Sequence, residues 1–200
     1  MTKSFKNFSK QRKTEHFYKE AKKKEVRARS YFKLEQLDKK FSLIKENAKV
    51  LDLGCAPGGW LEYMDDKLEE AELVGIDLLP IKNKHLFSKK VSILEDDFYN
   101  LEDYELGAFD LVLSDMAPEF SGQSEVDRGR VHKINLDVLG LCKIHLKKGG
   151  TCAFKSFEGE DFDKVLAKAR KLFSSVKVFK PVSSQKKSAE VFVVCFDFQP

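Results

Sequence analysis

The sequence is short of the residues that staple or ligate. Its four cysteines, Cys55, Cys142, Cys152 and Cys195, stand far apart, and with four histidines they form no CxxC or Cys/His spacing. That argues against a zinc site and against a disulfide framework, and no metal is expected. Isolated thiols of this kind fit buried, reduced side chains in a cytoplasmic setting. A chain of 200 residues buries roughly 70% of its unfolded surface and needs no covalent staple. Long apolar runs are also missing: the longest are strand-sized, well short of the roughly 20 residues that span a bilayer. The opening MTKSFKNFSKQRK has charge but no apolar stretch, so a secretory signal is not expected. There is no internal repeat, and no GxGxxG stretch to cradle a pyrophosphate.

Charge is plentiful and unevenly placed. Residues 1–33 hold twelve Lys and Arg against three Glu, a balance of +9, while the remainder of the chain carries −5. A basic arm on an acidic body is the electrostatic footprint of a protein that grips a polyanion locally. A lysine-rich tail that is merely solvated is the alternative.

Periodicity then organises the chain. Residues 13–28 read as a short basic helix, and SYFKLEQLDKKF as a second, with Ser30 as its cap. Strand-like segments follow at 49–54, 72–78, 91–97, 109–115, 150–157, 175–181 and 190–198. Helix-like segments fall between them at 59–69, 124–146 and 160–173. Apolar strands interleaved with helices predict an α/β fold, a mainly parallel sheet covered on both faces. VSSQKKSA joins the last two strands without a helix, which favours an antiparallel hairpin. The reading is seven strands with one reversed near the end. A basic arm over 1–40 and a single domain over 41–200 is the expected division.

Four acidic or glycine-rich stretches fall at successive strand ends, where open α/β sheets bind ligands. VLDLGCAPGGW (50–60) brings Asp52, Gly54, Pro57, Gly58, Gly59 and Trp60 to the end of the first strand. Its spacing is G-x-x-x-G-G with an acid ahead of it. A carboxylate beside the loop suits an amine or another cation better than a phosphate. Asp77 ends the second strand, eighteen residues after Gly59, where a carboxylate can accept both ribose hydroxyls of a nucleoside. Asp97 ends the third and could accept from an adenine amine; Asp115 ends the fourth. A nucleoside with a cation and no phosphate describes S-adenosyl-L-methionine. Each acid alone could be a turn cap; four in succession beside a glycine loop are more specific.

RARSYFKL (27–34), VLDLGCAPGGW (50–60), IDLLP (76–80), SDMAP (114–118), GGTCAFKSFEGE (149–160) and KKSAEVFVV (186–194) resemble the FtsJ-type 2′-O-ribose RNA methyltransferases. The similarity runs from about residue 12 to the C-terminus, in order and at family spacing. It implies a Rossmann-like class I methyltransferase fold and a Lys-Asp-Lys-Glu catalytic tetrad at Lys33, Asp115, Lys155 and Glu190. Cofactor positions carry over to Gly58, Trp60, Asp77, Asp97 and Asp115, with Asp52, Gly54 and Pro57 shaping the loop. The GGW and LLP details favour the ribosomal over the tRNA branch; Cys55, where the ribosomal branch often has alanine, is a conservative departure. The implied partner is ribosomal RNA or the large ribosomal subunit, with no DNA and no membrane, and a monomeric, cytoplasmic protein is expected.

A ribose hydroxyl is a weak acid, so methyl transfer to it needs alignment and help with the proton. Lys155 interrupts the apolar strand CAFKSF. It would serve as base if neutral, or stabilise the forming alkoxide if charged; the sequence leaves both open. Asp115 could orient it, and Glu190 could fix Lys33 or the ribose. In the arm, Lys10, Arg12, Lys13, Lys22, Lys23, Lys24, Arg27 and Arg29 are candidate phosphate contacts. Phe17, Tyr18 and Tyr31 could stack on bases, or belong to the core. Three rivals stand: a nicotinamide-dependent oxidoreductase, a catalytically silent RNA-binding module, and a methyltransferase acting on protein or small molecules.

Overall fold

The computed structural model describes residues 26–118, 124–159, 161–182 and 189–200. The expected basic helix over 13–28 therefore lies almost wholly outside the described residues. Helix α1 is Ser30–Phe41, followed by β1 (Lys49–Leu53), α2 (Gly59–Lys67), β2 (Glu72–Asp77), β3 (Val91–Glu95) and β4 (Phe109–Ser114). Then come α3 (Ser124–His145), β5 (Leu146–Phe157), α4 (Phe162–Leu172), β6 (Phe173–Phe179) and β7 (Glu190–Phe198). Single 3-10 segments, Lys84–Leu86 and Phe98–Asp103, flank β3.

The strands form one sheet of seven in the order β3-β2-β1-β4-β5-β7-β6. Strands β1 to β5 pair in parallel, and β7 runs antiparallel to both β5 and β6. The expected α/β sheet with one reversed strand is thus observed. Because β7 is reversed, its first residue, Glu190, lies at the edge where β4 and β5 end: Phe157 pairs with Glu190, and Ser114 with Phe154.

Side-chain alternation divides the core into two layers. Leu51, Leu53, Val74, Ile76, Val112, Phe154 and Val193 pack with α3 and α4 on one face. Val50, Leu73, Leu111, Leu113, Ala153, Phe192 and Val194 pack with α1 and α2 on the other. The second set shares its parity with Asp52, Asp77, Asp115, Lys155 and Glu190. The polar residues at the carboxyl edge thus continue the face that α1 covers.

Helix α1 belongs to that body: Phe32, Leu34 and Leu37 are buried. A division at residue 40 would cut through this helix. Asp38, 3% exposed, accepts from the Ile44 amide (3.0 Å), the Tyr63 hydroxyl (2.8 Å) and the Lys67 ammonium. It fastens α1 to α2.

Two local readings change. Ser30 is the first helical residue rather than the cap; Arg29 occupies the cap position and its side chain makes no capping bond. Strand β5 begins at Leu146, not 150, because KKGG stays in the sheet through an irregular stretch between the Phe109–Leu146 and Leu111–Thr151 pairs. Gly149, at φ 78°, takes the left-handed backbone there.

Candidate active site

The loop after β1 folds back over β2. The amides of Gly54 and Cys55 both donate to the Ile76 carbonyl, at 2.9 and 3.3 Å. This needs Gly75 beneath it: a Cβ there would stand 2.8 Å from the Cys55 sulfur. The sequence reading missed Gly75, which looks like any strand residue. At Gly54, φ is 73° and a Cβ would stand 2.3 Å from Met116 Cγ. Gly58, at φ 102°, precedes α2. Gly59 is packed so tightly under α1 that a Cβ would meet the Ser30 hydroxyl oxygen at 2.6 Å. Pro57 is exposed and Trp60 buried, its indole N–H donating to the Ser30 carbonyl at 2.9 Å.

A cavity of about 40 Å³ lies beside this loop, lined by Ser30, Asp52, Gly54, Cys55, Ala56, Trp60 and Asp115. Asp52 is buried, and among the described residues neither of its carboxylate oxygens has a hydrogen-bond partner. Burial, then the negative charges of Asp115 and Asp77, pushes its carboxyl well above the usual carboxylate range. A buried acceptor without a donor is costly. An ammonium or sulfonium group lodged here would relieve that cost, so the residues present fit a cationic ligand.

Asp77 and Asp97 stand at the next two strand ends but line no part of this cavity. One Asp77 oxygen accepts from the Ala56 amide and the other from the Leu79 amide, both at 2.8 Å, tying the glycine loop to the turn after β2. Asp97 precedes the 3-10 segment 98–103 and accepts from the Tyr99 amide at 3.2 Å. Each carboxylate oxygen has a second lone pair available to a hydroxyl or amine.

On the other side of Asp115, four charged side chains meet. Lys33 reaches across from α1 to Glu190, with Nζ 3.0 and 3.1 Å from its two oxygens, and lies 3.6 Å from Asp115 Oδ1. Lys155 lies 3.0 Å from the same Oδ1 and donates to the Asp115 backbone carbonyl. The 3.0 Å contact is an ion pair without hydrogen-bond geometry, which leaves Oδ1 lacking a donor. Lys33 and Lys155 are 8% and 7% exposed, unusual for lysines, which are rarely buried unless paired. Lys33, Asp115, Lys155 and Glu190, up to 157 residues apart in sequence, are thus brought around one crevice.

The RNA-contact candidates are split. Lys10, Arg12, Lys13, Lys22, Lys23 and Lys24, with Phe17 and Tyr18, lie outside the described residues. Arg29 is exposed. Arg27 is committed to the body: its guanidinium donates to the carbonyls of Lys82 and Asn83 and lies over the Phe87 ring. Tyr31 packs edge-on against Phe32 and Tyr63, which fits a core role. Among the described residues no cluster of His, Cys, Asp and Glu could hold a metal, and no helix is long and apolar enough to cross a membrane.

Known proteins bear on this arrangement. The ribosomal RNA large subunit methyltransferase E of Methanosphaera stadtmanae is 36% identical over 194 residues, covering 92% of this chain and 93% of that protein. Its namesake from Buchnera aphidicola subsp. Schizaphis graminum is 37% identical over 193 residues, covering 90% and 92%. A Plasmodium falciparum crystal structure described as a ribosomal RNA methyltransferase matches with a TM-score of 0.75 at 23% identity, over 86% of this chain and 98% of that one, and shows the shared fold. The model of the FtsJ-like methyltransferases matches residues 26–198, and the chain belongs to that family.

Proposed function

We propose that this protein methylates a ribose 2′-hydroxyl of large-subunit ribosomal RNA, with S-adenosyl-L-methionine as donor. The observation that carries the reading is the quartet of two buried lysines, Lys33 and Lys155, and two half-buried acids, Asp115 and Glu190, beside the orphaned carboxylate of Asp52. The donor supplies a methyl group already activated on a sulfonium. Asp52 and Asp115 hold its positive end, the glycine loop leaves room for it, and Asp77 and Asp97 accept from its nucleoside. In the transfer an O–H bond is replaced by an O–C bond, the S–C bond pair returns to sulfur, and one proton is released.

The protein's task is to align the hydroxyl and stabilise its oxygen as the proton leaves. Lys155 is placed for this. Asp115 fixes its ammonium by both carbonyl and carboxylate, so that it meets the incoming oxygen beside the cavity. Preorganised charge in a dry site is worth far more than in water. Lys33 and Glu190, held to each other, form the opposite wall of the crevice and contact the ribose. The basic arm grips RNA phosphates, so RNA affinity falls steeply with salt. The protein acts as a monomer in the cytoplasm.

Mapping 2′-O-methylation in total RNA from cells lacking the protein tests the assignment. One missing methyl in large-subunit ribosomal RNA is expected. Loss confined to a tRNA would instead favour the tRNA branch.

A further inference from the structure

We propose that Arg27 is a positioning residue that sets the gap between the glycine loop and the Asp77 turn, and is not an RNA-phosphate contact. The inference rests on the proposed use of S-adenosyl-L-methionine, whose nucleoside must lie across that gap. Arg27 touches each structure bordering it. Its backbone amide donates to Glu62 Oε2 at 2.8 Å, in the first turn of α2. Its guanidinium donates to the Lys82 carbonyl at 2.5 Å and the Asn83 carbonyl at 2.8 Å, both in the loop after Asp77. The same group lies 4.3 Å from the centre of the Phe87 ring. Between these anchors sits Gly58, where a Cβ would stand 3.0 Å from Phe87 Cζ and 3.3 Å from Arg27 Cδ.

The planar fork explains the residue type. Two diverging carbonyls and an aromatic face can be engaged together by a guanidinium, whereas an ammonium is a point charge without fork or plane. A phosphate contact is less exacting, since lysine serves there as a point cation. Sheet pairing fixes β1 against β2 only as far as Leu53 and Ile76. Beyond that point, the Gly54 and Cys55 amides hold the start of the loop to the Ile76 carbonyl, and the rest of the loop and the turn are joined by the Asp77–Ala56 bond and by Arg27. The base of the arm is thereby strapped across the donor site.

Arg27→Lys separates the two roles, because it keeps the charge and loses the fork. Donor binding is read by Trp60 fluorescence, turnover by methyl transfer, and RNA binding as a function of salt. The expected result is a roughly tenfold rise in Kd and KM for S-adenosyl-L-methionine, the scale of one lost charge-assisted bond. Turnover at saturation and the salt slope should stay near wild type. Phe87→Leu, which keeps the bonds and removes the aromatic face, should move donor affinity the same way by less, and it serves if the first variant does not fold.

Wild-type donor affinity in both variants would overturn the proposal. So would a normal Arg27→Lys beside an Arg27→Ala whose salt slope falls by about one, the signature of a lost phosphate contact. Failure of the underlying reading is distinct: the wild-type protein itself would not bind the donor.

Discussion

The two ends of the sheet carry similar charges in opposite ways. At the amino ends of the strands, Lys49 pairs with Glu72 at 2.6 Å and Lys147 with Asp110 at 2.8 Å, with from 20% to 57% of each side chain exposed. Lys147 and Asp110 line a cleft of about 370 Å³. At the carboxyl ends, the side chains of Lys33, Asp115, Lys155 and Glu190 are 8–17% exposed and pair at 3.0–3.6 Å, beside a cavity of about 40 Å³. Cleft size points to the wrong end. Exposed pairs contribute roughly 0–1 kcal/mol and carry no message. Buried pairs cost desolvation that stability alone does not repay, and at the carboxyl edge they stand beside an acid without a donor.

Substitutions can break or sharpen that contrast. Among the substitutions read by both turnover and stability, the largest effect is expected at Glu190. Glu190→Gln leaves Lys33 to share Asp115 with Lys155, and turnover should fall roughly a hundredfold, with stability about 3 kcal/mol lower, the cost of breaking a buried ion pair. Steady-state kinetics and denaturant unfolding measure the two. An unchanged protein would place the carboxyl end with the amino end.

Asp38→Ala removes the acceptor of three donors between α1 and α2 and should cost about 2–3 kcal/mol in the same unfolding experiment. Its effect on turnover should follow only from displacement of Lys33.

Asp52→Asn should change the pH dependence of stability more than stability itself. The carboxyl is raised by burial, so the native state keeps a proton that the unfolded chain loses above about pH 4. Stability from this group is therefore full at low pH and declines as pH rises towards the native value, by up to about 1.4 kcal/mol per unit. Ligand-free Asp52→Asn should lack that decline in melting experiments between pH 4 and 7, and should bind the donor more weakly. Lys147→Ala, at the amino end, should shift stability by less than about 0.5 kcal/mol and leave methyl transfer unchanged.

How legible each part was follows from how local its cause is. Alternating apolar runs and acids at their ends marked β1 to β4, and the short VSSQKKSA connection signalled the reversed strand that carries Glu190 to the site. Strand β5 was read to begin at 150 rather than Leu146, because the pairing of KKGG with β4 depends on an irregular register no local pattern announces. Asp38 was invisible for the same reason: its donors lie 6, 25 and 29 residues away. Arg27 was legible as a cation but not as a fork, since its carbonyl partners lie 55 and 56 residues on. Gly75 gave no signal, since only the fold-back of the Cys55 loop makes its missing side chain matter.

The central claim is that the quartet of Lys33, Asp115, Lys155 and Glu190 serves methyl transfer to a ribose oxygen. Its most direct test is transfer of radiolabelled methyl from S-adenosyl-L-methionine to large ribosomal subunits from cells lacking the protein, followed by nucleoside digestion. The wild-type protein should label one 2′-O-methylated nucleoside, and Lys155→Ala should be about a thousandfold slower with donor binding retained. Label on a base, or near-normal transfer by Lys155→Ala, would contradict the claim.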